Sequence, residues 1–489
     1  LNEAEASYKK AISLKPDYGN AYYNFGITLQ KLNRLTEAVA NYAQAIALTS
    51  DNADAYYNMG SALQNFVLTK PDSDLQQIVI TLLDGETYVS PAEISLAVMS
   101  LLKFEPLLQK AFKKHSVGEL MQAVQETILD LSDLPMLLKF MSVCPIPDPE
   151  LEGLFREIRT CLLLLNFETI GNPNALPFQS ALALQCFTNE YIYSQTKKES
   201  DALKKLELVI EKGLSKGIQP SPQSILCLAS YKPLYKYEWC KLLTTNSYVE
   251  DVFTRQIIEP KEENRLKTEI PALQEITNKV SSRVREQYEA NPYPRWVKIR
   301  LDPSPKTISK IVKRANLRLC DKKILDVTCP NILIAGCGTG QHSIGTASDI
   351  KNSKVLAVDL SLSSLAYAKR KTEELGIQNI EYMQADILDL RQLKSQFNII
   401  ESAGVLHHME NPIAGWKVLT NCLSPGGLMK IGLYSELARQ NILKMRNEIE
   451  QVGLELSDDS MRSFRNAIIE SNEEHHKQIL LSPDLYSLS

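Results

Sequence analysis

Asn331-Ile-Leu-Ile-Ala-Gly-Cys-Gly-Thr-Gly340 is the stretch that decides the fold of this chain. An apolar run, Ile332 to Ala335, ends in glycines at alternate positions, Gly336, Gly338 and Gly340, and residues able to continue as a helix follow. This is the pattern of a buried strand turning sharply into a helix. Glycine suits such a turn because it tolerates positive φ and lets a ligand approach bare backbone, while the helix start offers unpaired N–H groups. The turn is a candidate cofactor cradle.

Downstream the pattern becomes regular. Apolar runs at Val355 to Val358, Ile380 to Met383, Phe397 to Ile400 and Leu428 to Leu433 alternate with helical stretches near His342 to Ala347, Leu362 to Leu375, Ile413 to Leu423 and Glu436 to Val452. Such a rhythm predicts a parallel sheet covered by helices, with ligands beyond the carboxyl ends of the strands. Asp359 ends the second strand, where a carboxylate accepts hydrogen bonds from ribose hydroxyls. A dinucleotide fingerprint G-x-G-x-x-G needs glycine at 341, but Gln341 stands there, which disfavours a nicotinamide-linked oxidoreductase. After the third strand, Asp386 reads either as an acceptor for the adenine amino group, with Ile387 over the ring, or as a cap or turn residue. A buried packing role explains Cys337 better than a nucleophilic one.

Taken in order, Ile332 to Gly340, Val358-Asp359, Ala385-Asp386, Glu401-Ser-Ala-Gly-Val-Leu-His-His-Met409 and Leu423-Ser-Pro-Gly-Gly427 resemble the motifs of class I S-adenosylmethionine-dependent methyltransferases. The resemblance covers about Asn331 to Tyr434. It implies a Rossmann-like α/β fold and S-adenosyl-L-methionine as cofactor. The implied cofactor-binding residues are Gly336, Cys337, Gly338, Thr339, Gly340, Asp359, Leu360, Asp386, Ile387, Ser402 and Val405. His407 and His408 are the candidates for a base, because neutral imidazole accepts a proton near pH 7, against the alternative that they cap a helix or pack under the cofactor. That family's sheet ends in an antiparallel hairpin. Between Tyr434 and Ser489 only helical stretches and a polar end are read, so the last strands are expected to be missing.

Upstream lies a repeat. Tyr8, Ala11, Leu14, Asp17, Ala21, Gly26 and Leu29 recur as Tyr42, Ala45, Leu48, Asp51, Ala55, Gly60 and Leu63, a period of 34. The pattern predicts stacked helical hairpins and resembles the tetratricopeptide repeat. It reads either as a groove for a protein or peptide partner or as a spacer, and further repeats are expected before Leu1. The whole chain resembles bacterial proteins in which such repeats precede a methyltransferase domain.

From Phe66 to about Arg255 apolar residues at helical spacing predict an all-α region, with Ser90-Pro91, Asp148-Pro149 and Ser221-Pro222 as helix starts. The aromatic clusters Phe187 to Tyr193 and Tyr231 to Trp239 are read as helix packing rather than base stacking. Glu259 to Lys267 is read as a charged linker, Ile276 to Glu289 as an amphipathic helix, and Asn291-Pro-Tyr-Pro-Arg-Trp296 as either a lid or a rigid joint. The expected layout is repeats at 1–66, an all-α domain at 67–258, linker and lid at 259–300 and the methyltransferase domain at 301–489.

Composition narrows the classes. A net charge of -4 over 489 residues offers no general attraction to nucleic acid. The longest apolar run, Cys161 to Phe167, is too short to span a bilayer. The nine cysteines show no metal or redox spacing, which predicts reduced thiols in a cytoplasmic protein. Glu473-Glu474-His475-His476 has metal-ligand residue types, but neighbours on a helix diverge, so a solvated face without metal is expected. The expected function is methyl transfer to an acceptor the residues do not specify, the alternative being a non-catalytic interaction scaffold with a vestigial sheet domain.

Overall fold

The computed structural model describes residues 1–64, 66–165, 172–393, 396–454, 457–480 and 482–487. The end of the apolar run at 166–167 and the last two residues of the polar tail lie outside them. No helix among the described residues is long and apolar enough to cross a membrane.

The chain divides into two compact units. The first holds Leu1–Pro260, Trp296–Arg300 and Asn441–Leu488, and the second Lys261–Arg295 and Leu301–Gln440. In the first unit, helices Asn2–Leu14, Gly19–Lys31, Leu35–Leu48 and Ala53–Leu63 form the repeats. Their small residues make the close packing. A Cβ on Gly26 would lie 2.7 Å from the ring of Tyr42, which is fully buried. One continuous core runs from Phe25 to Phe253, so the repeats and the helical region after them share an interior rather than forming two domains. The expected proline starts appear at Asp148, whose side chain caps helix Pro149–Leu164, and at Ser221, which caps Pro222–Ala229. Ser90 precedes a short 3-10 turn, Pro91–Ile94, without capping it. Phe187, Tyr193, Tyr231 and Tyr237 of the aromatic clusters pack inward, while Tyr235 is exposed. Tyr231 donates to Glu199 at 2.7 Å and lies under the Arg159 guanidinium.

Two expectations change. Residues 441–488 belong to the first unit, not to the sheet domain, because the Arg465 guanidinium grips the Glu152 carboxylate through two hydrogen bonds, both side chains buried. Glu259–Lys267 is a helix, not an irregular linker. Arg265 pairs locally with Glu262 and Glu269, Glu263 and Lys267 reach Arg370 and Ser363 of a later helix, and Leu266 anchors the segment in the second unit's core.

The second unit is a five-stranded parallel sheet in the order β3-β2-β1-β4-β5. The strands are β1 (Asn331–Ala335), β2 (Lys354–Asp359), β3 (Ile380–Gln384), β4 (Phe397–Ala403) and β5 (Leu423–Gly432). Helices Gln341–Asp349, Leu362–Glu374 and Pro412–Cys422 make the crossovers. Two apolar clusters cover the sheet's faces, one around Ile332, Ile334 and Leu365, the other around Leu333, Ile400 and Leu419. Ordering reverses between β1 and β4, and there a crevice opens at the carboxyl ends of the strands.

Candidate functional site

At the end of β1 all three glycines take positive φ: 79° at Gly336, 52° at Gly338 and 88° at Gly340. The turn is tied to β2 by the Gly336 and Cys337 N–H groups, which both donate to the Val358 carbonyl at 2.8 and 3.0 Å. At Gly336 and Gly340 glycine is required by contact as well as φ. A Cβ would lie 2.4 Å from Val405 Cγ2 in the first case and 2.6 Å from Ala368 Cβ in the second. Gly340 is also the N-cap of helix Gln341–Asp349, which has no capping side chain. A site for ligand acceptors thereby stays open.

Asp359 closes the turn from β2. One carboxylate oxygen accepts from the Gly338 N–H at 2.8 Å and the other from the Ser361 N–H at 3.0 Å. Each oxygen keeps a second lone pair. Burial pushes the Asp359 carboxyl above its ordinary value, opposed by these backbone donors. After β3, Asp386 is buried and accepts from the Leu388 N–H at 2.9 Å, so it caps a 3-10 turn while Ile387 packs beside it.

These residues meet in one cavity of about 390 Å³, lined by Gly336, Cys337, Gly338, Asp359, Leu360, Asp386, Ile387 and Val405. The volume lies within the range of small-molecule sites. Three of the expected residues do not line it. Thr339 is fully buried and its hydroxyl donates to the Pro294 carbonyl at 2.5 Å. Gly340 starts the helix behind the turn, and Ser402 donates to the Ala335 carbonyl at 3.0 Å, holding β4 to β1. Cys337 is buried, and desolvation pushes its thiol well up, as a packing role requires.

The two histidines separate. His408 lines the cavity, whereas His407 does not. The His407 ring lies against Tyr434, centroids 3.8 Å apart and tilted by 34°, and both of its nitrogens are buried without a hydrogen-bond partner among the described residues. Burial, then His408, then Arg439 lower its pKa, so it is neutral at pH 7.

Two features escaped the sequence. The first is a cover. Helix Lys279–Ala290 brings Val280, Val284 and Tyr288 into the cavity wall, and Tyr293 and Pro294 continue it across the glycine turn. Glu289 docks this helix: it accepts from the Ser361 hydroxyl at 2.7 Å and the Ser363 N–H at 2.8 Å, at the start of helix Leu362–Glu374. Of the segment read as a lid or a rigid joint, Tyr293 and Pro294 line the cavity, while Trp296 begins a segment of the first unit. The amphipathic pattern showed the helix but not which surface it covers. The second feature is a pair, His342 and Glu401, with Nε2 and Oε2 2.5 Å apart and His342 on the cavity wall. Burial raises the Glu401 carboxyl, but His342, Lys430 and Thr346 outweigh it and the net direction is down.

Comparison with known proteins agrees with this arrangement. Residues 332–427 match the model of a methyltransferase domain, and residues 7–40 and 30–65 match two tetratricopeptide repeat models. An uncharacterized protein of Synechococcus sp. is 36% identical over 121 residues, 24% of this chain and 29% of the relative. The ubiquinone biosynthesis O-methyltransferase of Acinetobacter baumannii is 28% identical over 125 residues, 25% of this chain and 48% of its own. The demethylmenaquinone methyltransferase of Lactococcus lactis is 30% identical over 107 residues, 22% of this chain and 42% of its own. The chain thus spans less than half the length of these relatives. Among solved structures, PKMT2 from Rickettsia typhi in complex with AdoHcy is 22% identical over a match covering 32% of each chain, at a TM-score of 0.26. The chain carries a methyltransferase domain behind tetratricopeptide repeats.

Proposed function

We propose that the chain is an S-adenosylmethionine-dependent methyltransferase. One observation carries this: the open glycine turn, the Asp359 carboxylate and Asp386 share one cavity at the switch point of a parallel sheet. Those donors and acceptors fit an adenosyl ligand. Gly336 and Gly338 offer bare backbone to its amino-acid tail, Asp359 the free lone pairs to its ribose hydroxyls, and Asp386 with Ile387 an acceptor and an apolar cover to its adenine. When bound, the cofactor supplies a methyl group already activated by a sulfonium.

The protein's own work is then chiefly placement and exclusion of water. Tyr288, Tyr293 and Pro294 cover the cavity, and Tyr434 narrows it from the β5 side. A base is needed only when the acceptor arrives protonated. His408 faces the cavity for that task. His342, steadied by Glu401, is the second imidazole within reach of it. The repeats contribute partner or substrate binding.

Full-length chain incubated with methyl-labelled cofactor and cell extract tests the proposal. Transfer of label to protein, lipid, glycan or small molecule, lost in Asp359→Ala, supports it. Cofactor binding without transfer to any acceptor, together with repeat-dependent capture of a partner, would favour the scaffold role instead.

A further inference from the structure

Outside the cavity, the described residues contain one group of histidine and carboxylate side chains whose ligand atoms converge: Glu448, His475 and His476, with all of these atoms within 4.8 Å of one another. All three belong to the first unit. Glu448 comes from helix Gln440–Val452 and the histidines from helix Glu474–Ile479. The divergence expected of neighbouring helical positions does not hold here. The second helix is six residues long, both imidazoles lie in its first turn, and their rings are 4.1 Å apart. Neither is a solvated side chain, since His475 is 15% and His476 13% exposed.

We propose that Glu448, His475 and His476 bind a divalent transition-metal ion of the zinc class. His475 Nε2 lies 2.6 Å from Glu448 Oε1, and His476 Nε2 2.8 Å from Oε2. Two imidazole nitrogens thus address the two oxygens of one carboxylate, a donor set that suits zinc and its neighbours. These separations are hydrogen-bond lengths. Tetrahedral zinc with bonds of about 2.0–2.1 Å holds its ligands about 3.3 Å apart, so the ion replaces the shared protons after the carboxylate withdraws by roughly 0.5–0.7 Å.

The surroundings of His476 point the same way. Its Nδ1 lies 2.8 Å from Ser471 Oγ. That oxygen has two acceptor lone pairs and can take both the Glu473 N–H and an Nδ1–H. An imidazole that donates from Nδ1 presents the lone pair of Nε2, which is the usual outer support of a metal-bound histidine. Glu448 remains 33% exposed, so an entry path exists. The ion ties the two helices together without disulfides. All nine cysteines of the chain are free thiols.

The test uses the full chain, stripped with a chelator, desalted and titrated with Zn²⁺ by calorimetry, then with Co²⁺ while the visible ligand-field bands are read. One equivalent of zinc per chain is expected. Its affinity should fall by roughly tenfold or more in Ser471→Ala, which touches no metal ligand atom. It should vanish in His475→Ala/His476→Ala. Glu448→Gln keeps a hydrogen-bond acceptor beside the histidines while removing the anion, so weakened binding with an unchanged circular dichroism spectrum separates a lost ligand from lost folding. The proposal is overturned by absence of stoichiometric zinc binding in the wild type, or by binding that the double-histidine variant retains, which would leave the cluster a hydrogen-bonded clamp.

Discussion

Changing Asp359 to Asn tests the cradle with minimal change of shape. The carboxylate now satisfies two backbone donors, Gly338 N–H at 2.8 Å and Ser361 N–H at 3.0 Å. An amide has one oxygen, so its NH₂ must face one of those N–H groups and leave a buried donor unpaired. That costs about 1–3 kcal/mol of stability, seen as a lower urea midpoint. Ligand binding suffers separately. Replacing a charged acceptor of ribose hydroxyls by a neutral one forfeits about 1.5–3 kcal/mol, which weakens S-adenosylhomocysteine binding about 10- to 150-fold by calorimetry. A pH series sharpens the test. Burial raises the Asp359 carboxyl, and binding requires the anion, so affinity should decline on acidification from a higher pH than an ordinary aspartate, at about 3.9, would give. In Asp359→Asn that decline should be absent. Affinity within about twofold of wild type in a folded Asp359→Asn protein would refute the reasoning.

Further outcomes follow from the same structure. Gly340→Ala places a Cβ 2.6 Å from Ala368 Cβ at φ +88°, so it should destabilise the second unit by about 2–5 kcal/mol in urea melts. Gly345→Ala, in open space on helix Gln341–Asp349, should instead be neutral or stabilising by up to about 1 kcal/mol. Glu152→Ala strands the buried Arg465 charge and should cost the first unit about 3–5 kcal/mol, read by chemical denaturation. His407 has a depressed pKa, so its contribution to stability is present above about pH 6.5 and lost as the pH falls through its folded value. Unfolding midpoints at pH 5 and 8 should therefore differ less in His407→Phe than in wild type.

β1 and β2 were legible because each is a short apolar run closed by a residue with a clear task, glycine at 336 and aspartate at 359. Local chemistry and topology agreed there. Asp386 admitted two readings, a cap or a ligand acceptor, and the structure shows it capping the next turn on the cavity wall. What stayed hidden depends on distant partners. Glu401 reads only as the first residue after the run Phe397 to Ile400 until the fold brings His342 and Thr346 against it. Residues 441–488 read as a continuation of the sheet domain because nothing local announces the grip of Arg465 on Glu152, 313 positions away. Glu259–Lys267 resembled a linker because charge dominates its composition, and its anchors, Leu266 in the core and the pairing of Glu263 with Arg370, depend on residues far away in sequence. His407 and His408 could not be told apart by sequence, since adjacency hides that Tyr434 takes one ring and the cavity the other.

The most direct measurement of the central claim is calorimetric titration of the full chain with S-adenosylhomocysteine and, separately, with NAD⁺. The geometry of the glycine turn, Asp359 and Asp386 predicts one equivalent of S-adenosylhomocysteine bound and no heat of binding from NAD⁺. Silence from S-adenosylhomocysteine, or NAD⁺ binding that it fails to displace, would contradict it.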